Sequence, residues 1–483
     1  MADRLPNFIG GSWVTASNGR SLDVTNPATG EVLARAPLSS ANDVERAVTV
    51  ARNAFETWRR VPPMQRARYL FKFKELLERD FEELSRIVTE EHGKTLDEAR
   101  GDVRRGIENV EHACGIPTLM MGDTVEDVAA GIDCESFRQP IGVFAAVTPF
   151  NFPAMVPLWF WPYAVATGNT FIVKPSEQVP LTQHKMFQLV EEAGFPAGVL
   201  NLVHGDKEVV EALVDHPDIA GVSFVGSTPV AKALYARGAA TGKRIQALGG
   251  AKNHLVVMPD ADMDKTAATL VDSCFGCSGQ RCLAGSTVVA VGDAYDTIVE
   301  KIATRVRDIT VGNGLEPGVT MGPVISPAAL DRIVSFIASG IQDGATLRVD
   351  GRDVEVEGYP DGSWLGPSLF TDVTDDMQIA REEVFGPVMM IRRAETLDDA
   401  VAMIRRSDYA NATSIFTSSG KWARQFKYTV GVSMIGVNIG VAAPMAYFPF
   451  GGAKQSFFGD TKAHGKDSIK FYTDQKVVIS RWF

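Results

Sequence analysis

Cys282 stands in the stretch Phe275-Gly-Cys-Ser-Gly-Gln-Arg-Cys-Leu-Ala-Gly285, directly after Arg281 and inside a glycine-punctuated, turn-prone segment. A cation beside a cysteine favours thiolate over thiol, and the thiolate attacks electrophilic carbon. A free cysteine is also a common small apolar filler of cores. The peptide alone leaves both readings open. Cys274-Phe-Gly-Cys277, with Cys282 five residues on, has the outline of a zinc or redox site. No fourth ligand lies at finger-like spacing, so no metal site is expected. Cys274 falls on a helical apolar pattern and reads as core, while a regulatory disulfide between Cys277 and Cys282 stays open. The seven histidines form neither an H-E-x-x-H pattern nor a cluster, and none receives a role.

Three further stretches carry groups that suit a nucleotide and an acyl centre. Thr148-Pro-Phe-Asn-Phe-Pro153 follows an apolar strand pattern. In open α/β sheets the ligand crevice lies at the carboxyl ends of strands, so Asn151 would point its amide there. Such an amide is a good donor to a developing oxyanion; a turn made for its geometry explains the same residues. Val173-Lys-Pro-Ser-Glu-Gln178 ends the next strand pattern, where Lys174 and Glu177 can hold the two hydroxyls of a ribose or stand in an exposed turn. Phe224-Val-Gly-Ser-Thr-Pro-Val230 closes a strand and opens a helix, and its small residues and free N–H groups suit a pyrophosphate. Only one glycine of a G-x-G-x-x-G pattern is present, so this stretch alone is a weak signal.

The elements that must hold these groups follow from periodicity. Asn7–Trp13 reads as two short strands about a Gly-Gly turn, and Asn26–Glu31 as another turn. Helical spacing predicts helices from Ser40 onward and over 63–79, 81–93 and 95–115. A strand-like, polar hairpin is expected at about 131–138. From Ile141 short apolar strands (141–147, 170–173, 199–203, 221–225) alternate with helices (153–167, 180–193, 207–215, 228–240), the rhythm of a doubly wound parallel sheet. A second α/β series starts near 249, with strands at 255–258, 287–291, 388–391 and 414–416 and helices at 261–276, 294–308 and 397–405. Glycine-rich stretches near 312–322 and 431–452 read as loops. The tail Val477–Trp482 is a lone strand that must pair with the 131–138 hairpin or with another subunit. The expected organisation is α/β: a doubly wound, Rossmann-like dinucleotide domain over 1–122 and 141–248, an α/β catalytic domain over 249–442, and small β bridging segments over 123–140 and 443–483.

The chain has 483 residues, 45% hydrophobic and 22% charged, with a net charge of -11. This is the profile of an ordinary globular protein, and it argues against a nucleic-acid partner. The N-terminus lacks the apolar core of a signal peptide, no apolar run reaches membrane-spanning length, and five sparse cysteines fit a reducing compartment. A cytoplasmic protein with no membrane partner is expected.

Taken together, Pro149-Phe-Asn-Phe-Pro, Lys174-Pro-Ser-Glu, Phe224-Val-Gly-Ser, Leu248-Gly-Gly, Gly279-Gln-Arg-Cys282, Glu382-Glu-Val-Phe-Gly-Pro387 and Phe450-Gly-Gly-Ala-Lys454 resemble the aldehyde dehydrogenases, in order and over essentially the whole chain. The resemblance implies Cys282 as nucleophile, with Asn151 and the Cys282 backbone N–H as oxyanion hole. It implies NAD as cofactor: Lys174 and Glu177 on the adenine ribose, Phe224, Gly226, Ser227 and Gly249 near the pyrophosphate, Glu383 on the nicotinamide ribose and Phe385 on the nicotinamide. Thr148, Phe150 and Gln178 would line the same groove. A homo-oligomer, dimer or tetramer, is implied as well.

Two departures narrow the expectation. Hydrolytic members carry a general-base Glu immediately before Leu-Gly-Gly, and this chain has Ala247 there. Ala247 accepts no proton, so a better nucleophile than water is implied, and a thiol such as coenzyme A fits. Gly249-Gly-Ala-Lys-Asn-His254, Asp102-Val-Arg-Arg-Gly-Ile-Glu-Asn109, Leu119-Met-Met-Gly122, Phe448-Pro-Phe450 and Ala463-His-Gly-Lys-Asp467 are similar to the CoA-acylating methylmalonate-semialdehyde and malonate-semialdehyde branch. That likeness gives Arg105 and Arg281 to a substrate carboxylate, which guanidinium groups grip bidentately. Otherwise Arg105 is part of a solvated helix face, and Arg281 serves only the thiolate. Ala231 stands where the family usually has a glycine in the cofactor helix. The expected reaction is NAD-dependent, CoA-acylating oxidation of the semialdehyde with loss of CO2. The alternative is a hydrolytic NAD-dependent semialdehyde dehydrogenase that uses another base and gives a free acid; a non-catalytic NAD-binding protein on this fold is a further rival, against which Cys282, Asn151 and Glu383 weigh.

Overall fold

In the computed structural model, which describes residues 3–483, five short apolar strands lie parallel: Val143–Val147, Thr170–Lys174, Leu200–Leu202, Ile219–Val225 and Arg244–Leu248. Across the sheet the order is Phe457–Phe458, Arg244–Leu248, Ile219–Val225, Val143–Val147, Thr170–Lys174, Leu200–Leu202, Asn7–Ile9, Ser12–Val14. The first strand in the chain's parallel series, Val143–Val147, is thus followed outward on one side and then on the other. That reversal opens a crevice at its carboxyl end, where Thr148 begins. The strand is apolar on both faces for a physical reason. Val143, Ala145 and Val147 pack under one helix layer, and Phe144 and Ala146 under the other.

A second sheet of seven strands has the order Thr346–Val349, Ser368–Thr371, Val388–Ala394, Thr287–Val291, His254–Val257, Ala412–Phe416, Met434–Val437. It is parallel except at the Thr346–Val349 edge. The α/β expectation holds in both sheets. Arg244–Leu248, both outer strands on the Thr346 side and Met434–Val437 extend beyond the periodic signal, because strands of four or five residues between loops give little to count. The Met434–Val437 strand also corrects the loop expected across 431–452. The early helices form as Ala41–Trp58, Pro63–Arg79, Phe81–His92 and Leu96–Cys114. The 153–167 helix is instead two pieces, Met155–Leu158 and Trp161–Thr167, the second with Pro162 in its first turn. Helices Pro327–Gln342, Gly420–Thr429 and Gly465–Tyr472 were not anticipated.

The tail strand Thr473–Arg481 pairs antiparallel with Ile132–Pro140 of the same chain along its whole length, and Thr124–Ala129 adds a third strand. Among the described residues no helix is long and apolar enough to cross a membrane.

Candidate active site

The two sheets meet with opposite ends. Thr148, Lys174, Gly226 and Gly249 lie at or just beyond carboxyl ends of first-sheet strands, whereas Asn253, Cys282, Glu383 and Asn411 lie just before second-sheet strands. The turn between Gly276 and Cys282 is strained. Cys277 and Ser278 have φ of 49° and 53°, and Gly279 follows at 70°. A side chain at 279 would put its Cβ 2.1 Å from the Gly386 carbonyl oxygen, so the turn also needs a glycine there for space. Straps hold it on every side. The Ser278 hydroxyl donates to the Gly322 carbonyl (2.6 Å), the Ile325 N–H donates to Gln280 Oε1 (3.1 Å), and the Cys277 N–H donates to Glu98 Oε1 (2.6 Å). The Cys282 carbonyl accepts from the side-chain amides of Asn253 and Asn411, both at 2.9 Å. Cys282 itself is half-buried and opens into two cavities.

One cavity, of about 320 Å³, brings Cys282 together with Arg105 and Arg281. Phe152, Trp159, Leu283 and Phe450 supply apolar wall. Arg105 is ion-paired with Glu108 (2.7 Å) and Arg281 with Glu98 (3.1 Å). The Arg281 charge also acts on the Cys277 thiol, favouring its thiolate against the effect of burial. Its cation therefore serves Cys277 and Glu98, and the activation of Cys282 by its sequence neighbour is not what the fold provides. Burial pushes the Cys282 thiol up to about 12, and the Glu383 carboxylate acts in the same direction. Asn151 is buried beside the turn, its Nδ2 donating to the Gln280 carbonyl at 2.9 Å. Behind it the fully buried Lys94 donates to the Asn151 carbonyl (2.6 Å), pairs with Asp102 (3.3 Å) and sits 4.1 Å over the Phe152 ring. Asp102 in turn accepts from the Met155 N–H at 2.8 Å. The Asn151 turn is thus clamped from inside the core.

The other cavity, about 920 Å³, runs along the first sheet's carboxyl ends and reaches Cys282. Thr148, Phe150, Lys174, Glu177, Gln178, Phe224, Gly226, Ser227, Gly249, Glu383 and Phe385 all line it. Lys174 Nζ and Glu177 Oε2 are 2.7 Å apart at one end. Ser227 stands at the N-cap position of helix Thr228–Ala240, whose first residues line the groove. Gly249 has no room for a side chain, since a Cβ would stand 2.7 Å from the Gln455 carbonyl oxygen. At the other end Phe150 and Phe385 meet edge to face at 5.8 Å. Glu383 Oε1 accepts from the Ala251 N–H at 2.7 Å. Burial raises the Glu383 carboxyl to about 7 against the opposing pull of Lys252 and Arg332. The groove has the volume, the charge pair, the helix start and the aromatic end that suit a dinucleotide.

The profile of the aldehyde dehydrogenase family matches residues 13–478 of this chain. The chain belongs to that family. It is 50% identical over 478 residues to malonate-semialdehyde dehydrogenase 1 of Geobacillus kaustophilus, covering 99% of this chain and 98% of that one. It is 48% identical over 480 residues to the malonate-semialdehyde dehydrogenase of Halalkalibacterium halodurans, covering 99% of each. The crystal structure of a candidate methylmalonate-semialdehyde dehydrogenase from Sinorhizobium meliloti, complexed with NAD, superposes with a TM-score of 0.98 at 45% identity, over 100% of this chain and 98% of that one. The methylmalonate-semialdehyde dehydrogenase of Oceanimonas doudoroffii gives the same score at 47% identity, over 100% and 99%.

As an aldehyde dehydrogenase the protein is an oxidoreductase, and several residues around its site carry no obvious sequence signal. Lys94, Glu98 and Asp102 lie on or beside a helix dense in charge, which reads as a solvated face. Asn253 lies within the Gly249–His254 stretch that carries the branch likeness, whereas Asn411 has no local pattern at all. Lys252 is buried, donating to the Glu382 carbonyl at 2.9 Å and to that of Ile379, so it ties the Leu-Gly-Gly segment to the loop bearing Glu383.

Proposed function

We propose that the protein oxidises malonate semialdehyde or methylmalonate semialdehyde with NAD and transfers the acyl group to coenzyme A, releasing CO2. The observation that carries the CoA step is Ala247. It is fully buried in strand Arg244–Leu248, in register with Phe224 on one side and Phe458 on the other, so the position of the hydrolytic base holds only a methyl group. The carboxylates of the substrate cavity do not replace that base. Glu98, Asp102 and Glu108 are each ion-paired, and Asp272 is exposed at the rim. The two semialdehyde names of the relatives and the two arginines beside Cys282 support a substrate with a carboxylate.

In this reading Arg105 and Arg281 orient the carboxylate, and the Cys282 sulfur attacks the aldehyde carbon. Asn151 Nδ2 and the Cys282 N–H hold the resulting oxyanion, with Lys94 and Asp102 fixing the Asn151 turn. Bound in the groove, NAD supplies the hydride acceptor that leaves a thioester on Cys282. Glu177 sits where a 2′-phosphate would be repelled, which favours NAD over NADP. A carboxylate β to a thioester carbonyl loses CO2 readily, so the thiol product is acetyl-CoA or propionyl-CoA. The test is NADH formation from malonate semialdehyde with and without CoA, with the acyl product followed by mass spectrometry. Turnover that needs CoA and yields acetyl-CoA is expected. Steady release of a free acid without CoA would instead establish hydrolysis.

A further inference from the structure

We propose that Glu383 carries the proton of the acyl-transfer half-reaction, taking it from the incoming thiol of CoA and returning it to the Cys282 sulfur as that group leaves. The inference rests on the CoA reading above. Glu383 is half-buried, lines the same groove as Cys282, and its charge acts on the Cys282 thiol. The carboxylate is anchored by one oxygen only. Oε1 accepts from the Ala251 N–H at 2.7 Å, whereas Oε2 has no hydrogen-bond partner among the described residues. Gly250 makes the room for that free oxygen, because a Cβ there would stand 2.5 Å from it. The charged and titratable groups facing Glu383 are Lys252 behind the loop, Arg332 on helix Pro327–Gln342, Tyr409 on the opposite wall and Cys282 itself. Lys252 is committed to the Ile379 and Glu382 carbonyls and Arg332 to the Val384 carbonyl (2.6 Å), so neither occupies Oε2.

The proton accounting calls for such a group. The S–H bond of CoA breaks, its electron pair forms the new carbon–sulfur bond, and the proton passes to Glu383. The Cys282–carbon bond then breaks with its pair on sulfur, and the Glu383 proton moves there. Burial holds the Cys282 thiol at about 12, so its unprotonated sulfur is a poor leaving group. A carboxyl at about 7 can accept from a thiol and give to a more basic sulfur near neutral pH. With Ala247 at the usual base position, Glu383 is the groove carboxylate whose charge acts on the Cys282 thiol and whose Oε2 is uncommitted among the described residues.

The test dispenses with NAD. Cys282 is acylated with p-nitrophenyl acetate, the p-nitrophenolate burst reports acylation, and added CoA is followed to acetyl-CoA across about pH 5.5 to 9. In the wild type, transfer should rise with pH through an inflection near 7. Glu383→Gln should lower the ratio of transfer to acylation about 10²-fold or more and lose that inflection. Glu383→Ala should fall similarly and recover with added formate, which a merely misfolded variant would not do. An unchanged ratio and profile in Glu383→Gln, with acetyl-CoA still formed, overturns the role of Glu383 alone. A wild type that releases acetate and makes no acetyl-CoA overturns the CoA reading and this role with it.

Discussion

A guanidinium that already holds a carboxylate must exchange it when an anionic substrate arrives. Arg281–Glu98 and Arg105–Glu108 are two such pairs, and both line the cavity of Cys282. In the proposed reaction the exchange is nearly even in charge, so what the substrate would gain is bidentate geometry. Arg281→Lys keeps the charge and loses the fork. It should raise KM for malonate semialdehyde about 10- to 100-fold, and change kcat/KM for the neutral propanal far less. Steady-state kinetics on the two aldehydes checks this; equal losses on both would reduce Arg281 to a strut of the turn. Glu383 gives a pH prediction of definite sign. Its carboxyl is raised to about 7, so it is ionised above that pH and protonated below it. Ribose hydroxyls donate to the ionised form, so the Kd for NAD should rise as pH falls through 7, approaching tenfold per unit below it. Fluorescence titration should show this slope in the wild type and none in Glu383→Gln. At this scale short motifs single out Cys282, Asn151 and the groove residues, and the structure gathers them around two cavities. Glu98 and Lys94 were not, since their partners Arg281 and Asn151 lie far along the chain and their own neighbours look like helix surface.

The turn from Gly276 to Cys282 is the element on which the proposed chemistry depends most, and its geometry is written in backbone angles rather than in side chains. Three successive positive φ values bring Cys282 back over the groove, and the close approach to Gly386 fixes the third of them as glycine. Gly279→Ala forces both a left-handed alanine and a Cβ into that carbonyl, a cost of about 1–3 kcal/mol before any collision is counted. NADH formation should drop by about 10²-fold or more, with the far-UV spectrum of the two sheets kept. A variant with full activity would mean that the turn is not held as described. Sequence periodicity placed most of the long amphipathic helices within a residue or two, because a buried stripe repeats several times in each, although Pro327–Gln342 escaped it. It missed Thr346–Val349, Ser368–Thr371 and Met434–Val437, where four residues offer only two per face. The Cys277–Gly279 conformation left only its glycines as a trace, and the role of Glu98 in holding Cys277 left none.

The three-stranded sheet poses a problem that one chain does not solve. Its outer strand Thr124–Ala129 is exposed along its whole length, and Val477 and Ile479 on the tail strand stand 62% and 71% exposed on one face. Val125, Val128 and Trp482 are exposed as well. A three-stranded sheet needs a covered apolar face to be stable, and both its edges offer unpaired backbone groups. Pairing of the tail with Ile132–Pro140 satisfies one register but buries little, so a second copy of the chain is the natural cover, through an isologous contact. A homo-oligomer, which the family likeness implies, would give this face its cover. Sedimentation should give a dimer or a tetramer for the wild type at micromolar concentration. Val477→Glu combined with Ile479→Glu should shift it towards monomer and lower the Tm, because two buried charges at such a contact cost several kcal/mol. A wild type that sediments as a monomer would mean that this face is left to solvent, and the apolar side chains on it would then need another explanation.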